Sequence, residues 1–149
     1  MSPSGHPAFI CSLARTMRGR NVPYSYLPDR GQKHKRGWTG TEPTFVTGPT
    51  GETIAKCPHG MTDELCTRLL NEGIAFFPRR WSHAYPKRIY NVYEGNLYRA
   101  TPTVPGRSYH GFPELPREAK RLPSELKRRI LERAELQGCL EQVRKCLSG

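Results

Sequence analysis

The chain has 149 residues and a formal net charge of +11 at pH 7. This length suits one compact domain that buries its own core. The longest apolar run, residues 74–77, is far shorter than the roughly 20 residues needed to cross a bilayer, so we do not expect an integral membrane protein. Five cysteines are an odd number and too few for a disulfide scaffold, which favours free thiols in a reducing, cytoplasmic compartment.

The positive charge is the largest departure from an average composition, and it predicts a polyanionic partner. RNA is the partner that we expect. One alternative is a solvated basic surface that only keeps the protein in solution. Another is an interaction module that binds an acidic protein, such as a cognate inhibitor. A membrane surface is disfavoured because no cluster of basic residues stands beside an apolar anchor.

Residues 1–42 are predicted to form a basic, flexible tail. Glycine, proline, serine and basic residues dominate this segment, and its only acidic residues are Asp29 and Glu42. Such a composition binds phosphate without folding. Residues 8–17 have the spacing of a short amphipathic helix, and an organelle transit peptide is therefore an alternative.

Residues 43–149 are predicted to form a compact α+β domain. Two short strands, 44–47 and 52–56, flank a turn rich in glycine and proline. A helix follows, with Thr62 as its N-cap and Gly73 at its end. Residues 74–77 are predicted to form a buried strand.

The segment 87–112 carries the strongest β signal. Residues 88–93 and 97–101 are predicted to form a hairpin, and residues 108–112 a third strand of a small, mostly antiparallel sheet. Pro123 is predicted to open a helix that ends at Gln137, with an ion pair between Glu125 and Arg129. A final short helix is expected to pack on the same face, with Cys139 and Cys146 as small core residues.

Histidines, cations and aromatic residues concentrate between positions 81 and 110. Cleavage of RNA needs a base for the 2′-hydroxyl, an acid for the 5′-oxygen, and fixed cations for the charge that develops at phosphorus. We expect His110 and His83 to act as acid and base, with Arg99 and Tyr109 beside them. The residues expected to bind nucleic acid are Lys87, Arg88, Arg107, Lys127, Arg128 and Arg129.

No metal and no other cofactor is expected. Cys57, His59 and Cys66 are the nearest approach to a zinc motif. Their spacing differs from the paired ligands of closed zinc sites, and Cys66 falls within the predicted helix. The chemistry proposed for the histidines needs no metal ion.

The stretch RIYNVYEGNLYRATPT, residues 88–103, runs on through PGRSYHGFP, residues 105–113. Over these residues it resembles the terminal toxin domains of bacterial polymorphic and contact-dependent toxins. The resemblance implies a small basic ribonuclease, and it transfers no catalytic residue by motif. Residues 97–99 are also similar to the arginine strand that opens ADP-ribosyltransferases. The 50 residues after Arg99 leave little chain for the later strands of that fold.

The leading hypothesis is therefore a metal-independent, RNA-directed, toxin-like ribonuclease, a hydrolase in broad class. A non-catalytic RNA-binding or ribosome-associated protein is the main alternative. The expected compartment is the cytoplasm, either of the producing cell or, for a secreted effector, of a target cell.

Overall fold

A computed structural model describes residues 24–26, 43–56 and 61–148 of the chain. The strands in these residues are β1 (Ser25–Tyr26), β2 (Thr44–Thr47), β3 (Thr53–Lys56), β4 (Ile74–Phe76), β5 (Arg88–Tyr93), β6 (Asn96–Val104) and β7 (Ser108–Pro113). The helices are α1 (Asp63–Asn71), α2 (Pro116–Lys120), α3 (Ser124–Leu136) and α4 (Leu140–Ser148). This composition of elements confirms the predicted α+β class.

The main sheet has the strand order β1-β7-β6-β5-β4. Strands β4 to β7 pair with one another in antiparallel fashion. Strand β1 pairs with the outer edge of β7 in parallel. Strands β2 and β3 form a separate antiparallel hairpin. The predicted hairpin of β5 and β6 is confirmed. Its turn residues Glu94 and Gly95 have φ values of 50° and 82°, the left-handed pair that matches the twist of two hairpin strands.

Helix α1 begins where its capping signal predicts. The side chain of Thr62 accepts a hydrogen bond from the backbone N–H of Leu65, 3.1 Å away, which satisfies an otherwise unpaired donor of the first turn. Gly73 lies between the end of this helix and β4. A Cβ atom there would lie 2.4 Å from Cγ2 of Ile89, so glycine permits the close approach of the chain to β5.

The C-terminal helices differ from the prediction in detail. Helix α3 starts at Ser124, one residue after Pro123, which takes the N-cap position. The prediction of an ion pair between Glu125 and Arg129 is wrong, because Glu125 pairs with Arg128. Helix α2 was not predicted. Its proline in the first turn is compatible with a helix start, since that position has no intrahelical hydrogen bond to lose.

Two clusters of buried residues lie against the sheet. In the smaller one, Leu70 of α1 packs with Ile89, Ala100 and Tyr109. The larger cluster joins the C-terminal helices to the sheet residues that alternate with these, and it contains Ile74, Tyr90, Val92, Leu97, Ala119, Leu122, Leu126, Ile130, Ala134, Cys139, Val143 and Leu147. Neighbouring residues of a strand point to opposite faces. Helix α1 therefore contributes to one cluster, and α2 to α4 contribute to the other.

Residues 24–26 correct the predicted flexible tail. Tyr24 packs its ring edge-on against the buried Tyr109, with ring centroids 4.9 Å apart. Its backbone N–H donates to Oδ1 of Asn71 at 2.8 Å, and its carbonyl accepts from Nδ2 of the same residue at 2.8 Å. This short piece of the segment is thus part of the fold. The rest of residues 1–42 lies outside the described residues.

Candidate functional site

One face of the sheet carries a row of side chains, most of them polar, that includes Tyr90 of the larger buried cluster. The residues follow the two-residue repeat of β5, β6 and β7: Arg88, Tyr90, Arg99, Thr101, Thr103, His110, Phe112 and then Glu114 just past β7. Strand register pairs Tyr90 with Arg99, Arg99 with Phe112, and Thr101 with His110. We call this set the polar face.

His110 is held between two threonine hydroxyls of the neighbouring strand. Nε2 of its imidazole lies 3.1 Å from Oγ1 of Thr101, and Nδ1 lies 2.7 Å from Oγ1 of Thr103. A β-bulge between Pro102 and Val104 inserts Thr103 into β6, and bulges commonly redirect a side chain in this way. A hydroxyl can donate or accept. The two threonines therefore support both the neutral and the protonated imidazole.

Arg99 is committed to partners within the protein. Its Nε lies 3.4 Å from Oε1 of Glu114, whose side chain is fully buried, and its guanidinium lies over the ring of Phe112, 4.7 Å from the centroid. Burial raises the pKa of the Glu114 carboxyl, and the charge of Arg99 partly opposes this effect. Since 12% of the Arg99 side chain is exposed, its main contacts are internal.

Arg88 is the other cation of the polar face. It is half-buried, and its Nη1 lies 3.4 Å from the hydroxyl of Tyr90. Tyr90 is fully buried, and this burial raises its pKa. In the described residues Arg88 forms no ion pair with an acidic side chain. The guanidinium of Arg88 is therefore better placed than that of Arg99 to meet an anion.

His83 lies in the loop between β4 and β5, within an aromatic cluster. Its ring stacks on that of Tyr85, with a centroid distance of 5.1 Å and an interplanar angle of 18°. Trp81 meets both rings edge-on, and Lys87 lies over the indole, 5.7 Å from its centroid. We call residues 77–87 the aromatic loop. A hydrogen bond from the hydroxyl of Tyr109 to the carbonyl of Pro86, 2.6 Å long, joins it to β7.

Tyr109, expected beside the catalytic histidine, is instead a core residue. Its side chain is fully buried on the face opposite to His110. The hydroxyl is engaged by the Pro86 carbonyl. This position gives Tyr109 a role in holding the aromatic loop and the N-terminal strand, so we leave it out of the proposed chemistry.

The basic residues of α3 expected to bind RNA are occupied within the protein. Arg128 forms ion pairs with Glu125 and Glu132. Lys127 donates to the carbonyl of Lys120 at 2.7 Å, and Arg129 reaches towards the sheet, where its Nη1 lies 3.5 Å from the carbonyl of Ala75. These contacts fit the ordinary charged surface of a helix.

Cations without acidic partners gather instead at the end of the sheet that carries the aromatic loop. Those exposed there are Arg79, Arg80, Lys87 and Arg107. In the described part of the chain none of them forms an ion pair. The sequence has no acidic residue between Glu72 and Glu94, or between Glu94 and Glu114. This end of the sheet, which we call the cationic end, therefore carries uncompensated positive charge.

No group of three histidine, cysteine or acidic side chains that could hold a metal ion occurs in the described residues. Cys66 is buried in α1, and the residues at 57 and 59 lie outside the described ranges. Among the helices that the structure describes, none is long and apolar enough to cross a membrane.

Among the members of the polar face that the sequence did not assign to a site, Glu114 and Thr103 matter most, because they hold Arg99 and His110. Glu114 was overlooked because a glutamate after a strand is usually exposed, and Thr103 because its placement depends on the bulge. The signal for Glu114 was its spacing: two and four residues after Phe112 and His110, it continues the same face of the strand.

The chain matches no protein-family model, no curated protein and no solved structure. The geometry of the polar face, the aromatic loop and the cationic end is therefore the basis for a functional proposal.

Proposed function

We propose that this chain is an RNA-directed ribonuclease that cleaves without a metal ion, with His110 as its acid–base group. The observation that supports this proposal most strongly is the setting of His110. Its imidazole is oriented through both ring nitrogens by Thr101 and Thr103, and it is partly exposed on a face that also carries Arg88. A positioned imidazole on a face that also carries a cation suits transfer of a proton at a phosphodiester.

The proposed reaction is an internal transesterification. The substrate 2′-hydroxyl replaces Thr101 at Nε2, where the longer of the two contacts lies, and His110 takes its proton. The 2′-oxygen then bonds to phosphorus while the bond from phosphorus to the 5′-oxygen breaks. A water molecule protonates the departing 5′-oxygen, and the resulting hydroxide recovers the proton from the imidazolium. The products are a 2′,3′-cyclic phosphate and a 5′-hydroxyl.

Charge stabilisation is assigned to Arg88. A guanidinium near the reacting phosphate stabilises the negative charge that develops on its oxygens. The exposed cations of the cationic end, Arg79, Arg80, Lys87 and Arg107, bind the flanking phosphates. Arg99 is held by Glu114 and Phe112, so in this proposal it orders the polar face and does not contact the substrate.

The test is incubation of the purified protein with total RNA in EDTA. We expect fragments that end in 2′,3′-cyclic phosphate and begin with a 5′-hydroxyl. Folded His110→Ala protein should produce these fragments far more slowly than wild type. Fragments with 3′-hydroxyl ends, or cleavage that needs added metal, would contradict the proposed chemistry.

A non-catalytic RNA-binding protein is the second candidate. It is favoured by the fact that both ring nitrogens of His110 already have hydroxyl partners, as in a structural histidine, while the aromatic loop and its cations need no chemistry to bind RNA. The same incubation separates the two candidates: RNA that shifts in a gel but stays intact indicates binding alone.

A further inference from the structure

We infer that the aromatic loop is a nucleobase-binding subsite, in which an unpaired base of RNA stacks on the imidazole of His83. This inference rests on the proposal that RNA is the ligand and makes it more specific. It assigns His83 to recognition, where the sequence pattern had suggested proton transfer. It also defines the substrate class as single-stranded RNA, such as a loop or a bulge.

The rings already form the beginning of a stack. His83 and Tyr85 are nearly parallel, with an interplanar angle of 18°, and His83 is exposed to solvent. A planar base on the outer side of the imidazole would continue the stack that Tyr85 starts. Histidine and tyrosine rings are among the surfaces on which single-stranded RNA bases stack.

The loop holds these rings in place before any ligand arrives. The indole N–H of Trp81 donates to the carbonyl of Tyr85 at 2.6 Å, and its ring meets that of His83 edge-on at 4.7 Å. At the base of the loop the backbone N–H of Lys87 donates to the carbonyl of Phe76 at 3.0 Å. A platform ordered in advance loses less conformational entropy when it binds.

Charge in the loop suits the rest of a nucleotide. Arg79, Arg80 and Lys87 are exposed residues of the same loop, and Lys87 lies over the ring of Trp81, so the phosphates beside a base on His83 would lie near cations. Paired RNA hides its base faces within the A-form helix. The combination of a ring platform and cations therefore selects unpaired segments over duplex.

The test measures binding separately from cleavage. The probe is a 2′-O-methyl oligoribonucleotide, which lacks the 2′-hydroxyl nucleophile and cannot be cleaved by the proposed reaction. Trp38→Phe protein is used throughout, because the chain has two tryptophans and this leaves Trp81 as the fluorescent indole. An unpaired oligonucleotide should change the Trp81 emission, and a fully paired duplex should bind more weakly and change it less.

His83→Ala should weaken binding of the unpaired probe about 5- to 150-fold, the range for loss of one base–ring stack. His83→Phe should restore most of the affinity, since it keeps a ring without an imidazole. Ser124→Ala, at an exposed position in the first turn of α3 and outside the aromatic loop, is the control and should bind like the parent. Circular dichroism checks that each variant is folded.

The inference is overturned if folded His83→Ala binds the unpaired probe like the parent, or if His83→Phe binds no better than His83→Ala. Cleavage of unmodified RNA is measured in parallel, so that the two proposals fail separately. Stacking without cleavage removes the ribonuclease proposal and leaves this subsite. If the parent protein cleaves RNA and His83→Ala binds the unpaired probe like the parent, the subsite is removed and the ribonuclease proposal remains.

Discussion

Arg99 and Glu114 form an ion pair inside the protein, with 3.4 Å between Arg99 Nε and Glu114 Oε1. Neither Arg99 Nε nor Glu114 Oε2 has a hydrogen-bond partner in the described residues. The backbone N–H of Leu115 donates to Glu114 Oε1 at 3.0 Å. The pair therefore depends on charge attraction more than on hydrogen bonds, and loss of either partner leaves a buried charge exposed to an apolar environment.

Removal of one partner should be far more costly than removal of both. Arg99→Ala or Glu114→Ala should lower the free energy of unfolding by about 3–5 kcal/mol, whereas the apolar pair Arg99→Met with Glu114→Leu should lose much less. Urea unfolding of the three variants measures this difference. Additive losses in the double variant would show that the two residues stabilise the fold independently.

The raised pKa of Glu114 predicts how stability depends on pH. The folded carboxyl holds its proton to a higher pH than the unfolded one, so its contribution to stability is present at low pH and is lost as pH rises through the folded-state pKa. Glu114→Gln cannot ionise. Wild type should therefore lose stability relative to Glu114→Gln as pH increases above about 4.3, the usual glutamate value, in urea unfolding. A relative gain for wild type would show that Arg99 lowers the pKa.

His110 should be needed for cleavage and dispensable for binding. His110→Ala should lower the cleavage rate by about 10²- to 10⁴-fold, the usual contribution of a positioned acid–base group, while the RNA dissociation constant changes little. Thr103→Val, which removes the hydroxyl at Nδ1, should lower the rate by a smaller factor because the ring loses part of its orientation. Thermal unfolding of both variants separates these effects from loss of the fold. Wild-type cleavage by folded His110→Ala would remove this residue from the mechanism.

The exposed cations of the cationic end should govern the salt dependence of RNA binding. Lys87→Ala and Arg107→Ala should each weaken binding and reduce the slope of log K against log salt by about 0.7 for single-stranded RNA. Arg128→Ala is the matched control, since that guanidinium is paired with Glu125 and Glu132, and its slope should stay unchanged. Titrations at several salt concentrations give the three slopes. An equal reduction of the slope in all three variants would show that RNA binding depends on net charge alone.

The N-terminal strand should contribute to stability through Tyr24. Deletion of residues 1–23 should leave the thermal midpoint nearly unchanged, whereas deletion of residues 1–26 should lower it by several degrees, because Tyr24 packs on Tyr109 and bonds Asn71. Tyr24→Ala should reproduce most of this loss. Equal midpoints for the two deletions would mean that the strand adds nothing to the fold.

Local patterns were sufficient for the elements that are stabilised by neighbours in the sequence. Thr62 was recognised as a cap because capping involves residues three positions apart. The hairpin of β5 and β6 could be predicted because two runs of β-forming residues are separated by a short turn that contains Gly95. Strand alternation places Thr101 with Arg99 on one face of β6, but it does not show that His110 of β7 lies on the same face.

Contacts between distant residues were decided by the tertiary structure. The bulge that brings Thr103 to His110 depends on the register of two strands, and the parallel addition of β1 joins residues 82 or more positions apart, such as Ser25 and Ser108. The contact between Glu114 and Arg99 likewise joins residues 15 positions apart in the sequence. The sequence by itself determined the fold class, the start of α1 at Thr62 and the excess of positive charge. The structure decided which cations of the described residues form ion pairs with acidic side chains and which do not, because ion pairing depends on distances in space that no local pattern encodes.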